Sequence, residues 1–392
     1  MSFDKTFSNT IGEVTDSCLG KMLDAKKNKG KYAPYLANVN VRWGSFDLSD
    51  LPQMRFEENE QERYGIRYGD IIMCEGGEPG RCAIWRDEIP GMKIQKALHR
   101  IRTREQLDNE YLYYWFLNEG RKGSLDAYFT GSTIKHLPGE KLKSIFITYP
   151  DITVQRRIAS VLSLLDAKIK LNTQINNNLL QQAQAVFVKE FLSFDTTPEG
   201  WKESSLLGIA DYLNGLAMQK FRPKDGENGL PVLKIKELRQ GSCDASSELC
   251  SPSIKKEYIV HDGDVIFSWS GSLLVDFWCG GTCGLNQHLF KVTSTSFDKW
   301  FFFAWTDHHL QKFAAIAADM ATTMGHIKRE ELAKAEVLVP PQAEYERIGG
   351  LLAPIYDLVI ANRIENRKLA TLRDELLPRL MSGDLDVSEV SI

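Results

Sequence analysis

TIKHLPGEKLKSIFITYPD, residues 133–151, runs on from Val154 as VQRRIASVLSLLDAKIKLNTQI, and the whole stretch recurs 190 residues later. The second copy is TMGHIKREELAKAEVLVPP, residues 323–341, continued from Gln342 as QAEYERIGGLLAPIYDLVIANRI. Thr133 pairs with Thr323, His136 with His326, Leu142 with Leu332, Pro150 with Pro340, Ile158 with Ile348, and Asn172 with Asn362. Upstream the match loosens while its landmarks persist. Tyr68-Gly-Asp-Ile-Ile72 answers to Asp262-Gly-Asp-Val-Ile266, and Ile11-Gly12 to Leu207-Gly208. IQKALHRI at 94–101 answers to LNQHLFKV at 285–292. A repeat of this length is a duplicated domain and not a solenoid. The chain therefore divides into a globular domain at 1–150, a helical segment at 151–195, a second globular domain at 196–340, and a second helical segment with a tail at 341–392.

Over 154–194 and again over 345–381 apolar residues recur at alternating steps of three and four, the spacing of a coiled-coil seam. The first seam reads Ile158, Leu162, Leu165, Ile169, Asn172, Asn176, and then Leu179, Ala183 and Val186. The second reads Ile348, Leu352, Ile355, Val359, Asn362, Asn366, and then Leu369, Arg373 and Leu376. Asparagines in such a seam either penalise wrong registers or mark where it opens to solvent, and the pattern leaves both open. Burying each stripe against the other requires an antiparallel pair related by a pseudo-twofold axis. About 40 residues at 1.5 Å rise make a ruler of about 60 Å. Pro354 should kink or delay the second helix, and Pro378 should end it near Leu377.

Within each globular half, short apolar runs at 71–73, 82–85, 265–269 and 288–292 lie between glycine-rich turns, as strands do. Residues 111–118 and 299–313 read as helices. The fold class is α+β: two mixed α/β domains, each with a curved antiparallel sheet, joined by two long antiparallel coiled-coil helices. No apolar run is long enough to span a bilayer, and the N-terminus lacks a signal-peptide pattern. Seven scattered cysteines suit a reducing, cytoplasmic compartment.

The net charge of −4 argues against a simple nucleic-acid binder, but the charge is patterned. Residues 21–31 hold five lysines against Asp24, residues 79–104 carry a net charge of +5, and residues 218–239 hold six basic residues against three acids. Each stretch suits a phosphate-facing surface or an ordinary solvated face.

The tandem layout resembles the specificity subunit of type I restriction-modification systems. The resemblance is carried by Gly69-Asp70-Ile-Ile with the later Gly76-Gly77 and Gly80-Arg81-Cys-Ala-Ile-Trp85, and by Val339-Pro-Pro-Gln342 ahead of Glu346-Arg347-Ile348. The closing LRDELLPRLMSGD, residues 372–384, carries it too. It implies two target-recognition domains, each reading half of a split site in double-stranded DNA, with helices that bind two copies of a methylation subunit. A separate restriction and motor subunit does the cutting, so S-adenosylmethionine and ATP belong to the partners and no cofactor to this chain. The first repeat departs in lacking the double proline of the second, and Tyr345 stands where Gln155 stands in the other copy.

The motifs of an enzyme are missing. The only Pro-Pro, 340–341, is flanked by Val339 and Gln342, and not by the Asp or Asn and the aromatic residue of an amino-methyltransferase. No phosphate-cradling Gly-rich loop ending in Lys-Ser/Thr exists, and Glu75-Gly-Gly-Glu-Pro-Gly80 reads as a turn. Cys279 and Cys283 form half a metal site without a second half, so no metal is expected, and His308-His309 reads as a polar helix face.

Base readout needs long polar side chains and phosphate contact needs cations and hydroxyls. The residues expected to touch DNA are Lys21, Asn38, Asn40, Lys93 and Gln95 in the first domain, with Ser132-Thr133. In the second they are Lys220, Lys234, Lys236, Ser270, Ser272, Asn286 and Gln287. Ser132, Thr133, Thr322 and Thr323 are read first as N-caps of following helices. The competing function is a coiled-coil scaffold whose end domains bind proteins or other nucleic acid without duplex specificity.

Overall fold

The computed structural model describes residues 3, 5–24, 28–319 and 327–388. Thr322, Thr323 and His326 lie outside them. The chain forms two compact units, residues 1–167 with 371–392, and residues 168–370.

The first unit is built on a four-stranded antiparallel sheet in the order Thr15–Leu19, Leu98–Thr103, Ile71–Cys74, Cys82–Ile84. Its central run Ile-Ile-Met-Cys is apolar throughout because both faces are covered. Ile71 and Met73 join the core beneath the helix Asn109–Lys122, while Ile72 and Cys74 join a second core with Leu36, Trp85 and Ile94. The second unit repeats the order as Asp211–Asn214, Leu289–Thr293, Val265–Ser268, Leu274–Phe277. In both, a two-stranded pairing closes the domain near the long helix: Thr6–Thr10 with Phe146–Pro150, and Lys202–Ser205 with Glu336–Val339.

A smaller sheet accompanies each large one and corrects the purely antiparallel expectation. Lys31–Leu36 runs antiparallel to Gln53–Phe56 and parallel to Lys93–Ile94. Leu230–Leu233 likewise runs antiparallel to Leu249–Cys250 and parallel to Cys283–Leu285. The Gly-Asp motif is a repeated turn. Gly69 (φ 88°) donates to the Trp85 carbonyl at 2.9 Å and Gly263 (φ 83°) to that of Trp278 at 2.7 Å. Asp70 then holds Arg102 through two 2.7 Å bonds, and Asp264 holds Lys291 at 2.7 Å.

The long helices span Ile152–Phe191 and Gln342–Ser382. Pro354 does not delay the second helix, which starts at Gln342 and runs through it without a break, and Pro378 does not end it, since the helix continues to Ser382. The carbonyls that a proline deprives of a donor belong to Gly350 and Asp374, both exposed residues. Leu377 and Leu380, buried in the first unit's core, draw the last turn onward.

In the second unit the two helices run antiparallel, and the seam asparagines, three buried and Asn366 half-buried, are bonded to one another. Asn362 Nδ2 donates to Asn176 Oδ1 at 2.8 Å, and Asn172 Nδ2 to Asn366 Oδ1 at 2.9 Å and Glu365 Oε2 at 2.6 Å. Asn366 Nδ2 returns to the Ile169 carbonyl at 3.3 Å. This decides the seam in favour of a closed polar layer. In the first unit Arg373 donates to Asp166 at 2.6 Å, and Tyr114 Oη donates to the same carboxylate at 2.7 Å.

Gln155 and Tyr345, the mismatched pair of the repeat, do one job. Gln155 Oε1 accepts from the Asp108 N–H at 2.8 Å, and Tyr345 Oη accepts from the Asp298 N–H at 2.7 Å. Each ties its long helix to the N-cap of the domain's own helix, Asn109–Lys122 or Lys299–His308. His309 is not on a polar face. It is buried at a break between Lys299–His308 and Leu310–Asp319, one ring nitrogen 2.8 Å from the Glu336 carbonyl.

Candidate nucleic-acid interface

Both domains turn at a glycine that leaves no room for a side chain. A Cβ on Gly20 would lie 2.4 Å from the Gln95 carbonyl oxygen, and one on Gly215 would lie 2.2 Å from that of Asn286. The next residue makes the same parallel bridge in each, Lys21 to Gln95 and Leu216 to Asn286. Gln95, Asn286 and Gln287 thus occupy one shared turn, in which the Leu36 and Leu233 carbonyls accept from the Gln95 and Asn286 amides.

Several residues expected at the DNA are held inside. Lys21 is 3% exposed and bonds Glu60 at 2.5 Å and the Arg55 carbonyl at 2.8 Å; its counterpart, Leu216, is not even polar. Asn40 is buried, accepting from the Ala37 N–H and donating to the Asp47 and Asp50 carbonyls. Lys93 is buried with its ammonium on the Gln61 carbonyl at 3.1 Å, and that burial pushes its pKa down. Ser270 bonds the His288 ring at 3.2 Å, and Asn286 accepts from the His288 N–H. Polar type alone does not distinguish such internal anchors from surface readers.

The others are more open. Asn38 is half-buried, its carbonyl accepting from Arg81 at 3.0 Å. Gln95 and Gln287 are half-buried at the shared turn, and half-buried Lys234 pairs with Glu248 at 2.6 Å. Lys236 is exposed beside Ser246 and Asp244, while Lys220 and Ser272 are exposed. Ser132 and Thr133 are not helix caps. The following helix, Gly139–Lys143, has Pro138 at its N-cap, and the two hydroxyls line an open cleft of about 890 Å³ with Trp43, Arg121 and Phe129. The loop that carries them is closed by reciprocal 2.8 Å bonds between Thr130 and His136.

Sequence reasoning passed over the exposed face of the small sheets. Tyr32, Gln53 and Arg55 stand there in the first unit, and Leu249 with the preceding loop residues Phe221 and Arg222 in the second. The basic stretches at 21–31 and 218–239 were the available signal, since both lead into the same strand of the repeat.

Among the described residues no group of three or more His, Cys, Asp or Glu is gathered as metal ligands would be, and Cys279 and Cys283 are buried free thiols. No described helix is long and apolar enough to cross a membrane.

The sequence model of one family, described as "Type I restriction modification DNA specificity domain", matches residues 8–181 and again 198–373. The chain is 24% identical over 344 residues to the type I restriction enzyme MjaIX specificity subunit of Methanocaldococcus jannaschii, covering 82% of this chain and 79% of that protein. It is 22% identical over 400 residues to the EcoKI specificity subunit of Escherichia coli, covering 91% and 83%. A crystal structure of the type I restriction-modification S subunit from M. genitalium shares the fold, with a TM-score of 0.59 at 15% identity over 96% of both chains.

Proposed function

Since the chain belongs to the type I restriction-modification DNA specificity family, with two specificity domains in tandem, we propose that it reads an asymmetric, two-part duplex target, one half with each globular domain. As a specificity subunit it is the non-catalytic, DNA-recognising component of its complex. The long helices hold the spacer between half-sites and dock two methylation subunits, and through them a restriction subunit. S-adenosylmethionine and ATP act on those partners, in the cytoplasm. Of the residues expected at the DNA, the exposed Lys220, Lys236 and Ser272 remain as contacts.

The observation that carries this reading is a duplicated frame with unlike surfaces. The order of the large sheet, the glycine turn and the place of the helix anchor are the same in both units, whereas the exposed side chains on that frame differ. Two like frames with different exposed side chains suit a target of two different halves. The net charge of −4 leaves the partners to supply further phosphate contacts.

The test is reconstitution with the methylation subunit and S-adenosylmethionine, followed by sequencing of modified adenines. A two-part motif is expected. Exchanging residues 1–150 for those of another specificity subunit should alter one half alone. Methylation without sequence preference, or a change in both halves, refutes the assignment.

A further inference from the structure

Each unit carries, in its smaller sheet, a strand pair that leaves side chains exposed on one face. In the first it is the ribbon of Lys31–Leu36 and Gln53–Phe56, whose register sets Tyr32 opposite Arg55 and Pro34 opposite Gln53. Strand alternation sends Met54 and Phe56 into a small core with Tyr35. Tyr32, Gln53 and Arg55 are left exposed on the other side. The Arg55 guanidinium lies 4.7 Å from the Tyr32 ring centroid and, among the described residues, enters no ion pair. The acids at 57–62 begin beyond the ribbon, and Glu60 is spent on Lys21.

The repeat places a counterpart in the second unit. Pro231 faces Leu249 as Pro34 faces Gln53, so Leu249 stands for Gln53 and Ser251 for Arg55. The inward position is kept, since Met54 and Cys250 are both fully buried. The outward one is not: Leu249 is 49% exposed where the other ribbon has a glutamine. The loop entering this ribbon exposes Lys220 and Arg222, neither in an ion pair among the described residues. It is tied to the ribbon by the Ser251 N–H donating to the Phe221 carbonyl at 2.7 Å.

A base-reading element must occupy the same place in both domains and differ in chemistry between them. At the shared turn Gln95 and Asn286 are amides in both domains and Lys96 stands against Gln287, whereas the ribbons differ along their outward face. A two-stranded ribbon also fits the major groove, where arginine reads guanine, glutamine reads adenine and an apolar side chain meets the thymine methyl. Unpaired cations at its edge suit the flanking phosphates.

We infer that these two ribbons are the base-reading elements, each laid in the major groove of one half-site. Arg55 and Gln53 bond purine edges in the first half. Leu249 lies against a thymine methyl in the second, with Lys220 and Arg222 on its phosphates. The inference rests on the DNA-specificity function proposed above.

The experiment uses the complex reconstituted with its methylation subunit, a library of duplexes with randomised half-sites, and sequencing of modified adenines. Arg55→Ala and Gln53→Ala should each relax one base position of the first half about tenfold to a hundredfold and leave the second half untouched. Leu249→Gln should alter the second half alone. The Lys220→Ala/Arg222→Ala double variant should weaken binding on every sequence and flatten the salt dependence by about two phosphate contacts. Unchanged thermal melting of these surface variants separates the effects from misfolding. An unaltered motif in Arg55→Ala, Gln53→Ala and Leu249→Gln, with a specific wild-type complex, overturns the ribbon assignment. A wild-type complex without sequence preference overturns the underlying function, and the ribbon assignment with it.

Discussion

Replacing Asn176 or Asn362 by alanine should destabilise the second unit by an amount that depends on the other residue. Asn176 is 5% exposed; its Oδ1 accepts the 2.8 Å bond from Asn362 Nδ2, and its Nδ2 donates to the Val359 carbonyl at 3.3 Å. Either single substitution removes that amide–amide bond and strands a polar group beside fully buried Val359. A buried donor or acceptor without a partner costs about 1–3 kcal/mol. The double alanine variant strands neither side, so its loss should fall short of the sum by about 1–2 kcal/mol. The double leucine variant should match or exceed wild type, because both desolvated amides give way to apolar volume. Urea unfolding followed by far-ultraviolet circular dichroism measures all four states. Single losses under about 0.5 kcal/mol, or strict additivity, would show that water already serves these amides and that the seam is open.

Two further outcomes follow from buried groups and tight turns. Burial, with the nearby charge of Asp276, pushes the Asp307 carboxyl up to about 6 from its ordinary 3.8. A folded-state value above the unfolded one means the native protein holds the proton more tightly. Stability is therefore lost as pH rises from about 4 to 6, by at most about 3 kcal/mol. Asp307→Asn should melt with wild type near pH 4 and above it at pH 7; a gap that ignores pH contradicts this. Gly215→Ala forces a Cβ into the Asn286 carbonyl, whose oxygen would be 2.2 Å away, and should cost about 1–3 kcal/mol or more in overpacking. Methylation mapping should then show a degraded second half-site beside an intact first; a wild-type motif would mean that the turn does not position the reader.

The duplication and both long helices were legible because periodicity and a constant offset need no knowledge of tertiary contacts. Helix ends near 152, 191, 342 and 382 lay within a few residues of the pattern's limits, except where Pro378 was read as a stop. Proline's cost depends on where its orphaned carbonyl points, which sequence does not state. The parallel pairing at Tyr35 and Lys93 was illegible for a similar reason, since strands of two to six residues carry too little pattern to choose a neighbour. Lys21 and Lys93 are chemically sound phosphate ligands, yet carbonyls and Glu60 hold them inside.

The mismatches in the repeat carry as much information as the matches. Asp166 and Arg373 form an ion pair in the first unit, completed by Tyr114. At the offset of 190 their equivalents are Tyr356 and Ala183, both buried in the apolar core of the second unit, where Tyr356 meets the Phe303 ring at 5.0 Å. Equivalent helix positions are thus ionic in one unit and apolar in the other. A slipped register would set Arg373 against apolar neighbours, at the several kcal/mol an unpaired buried charge costs. The bonded asparagines and the Asp166–Arg373 pair therefore specify one alignment independently. The ion pair is not available to a helix paired with a copy of itself in the register seen here, because Asp166 has its arginine only on the second helix, whereas the asparagines stand at equivalent positions on both.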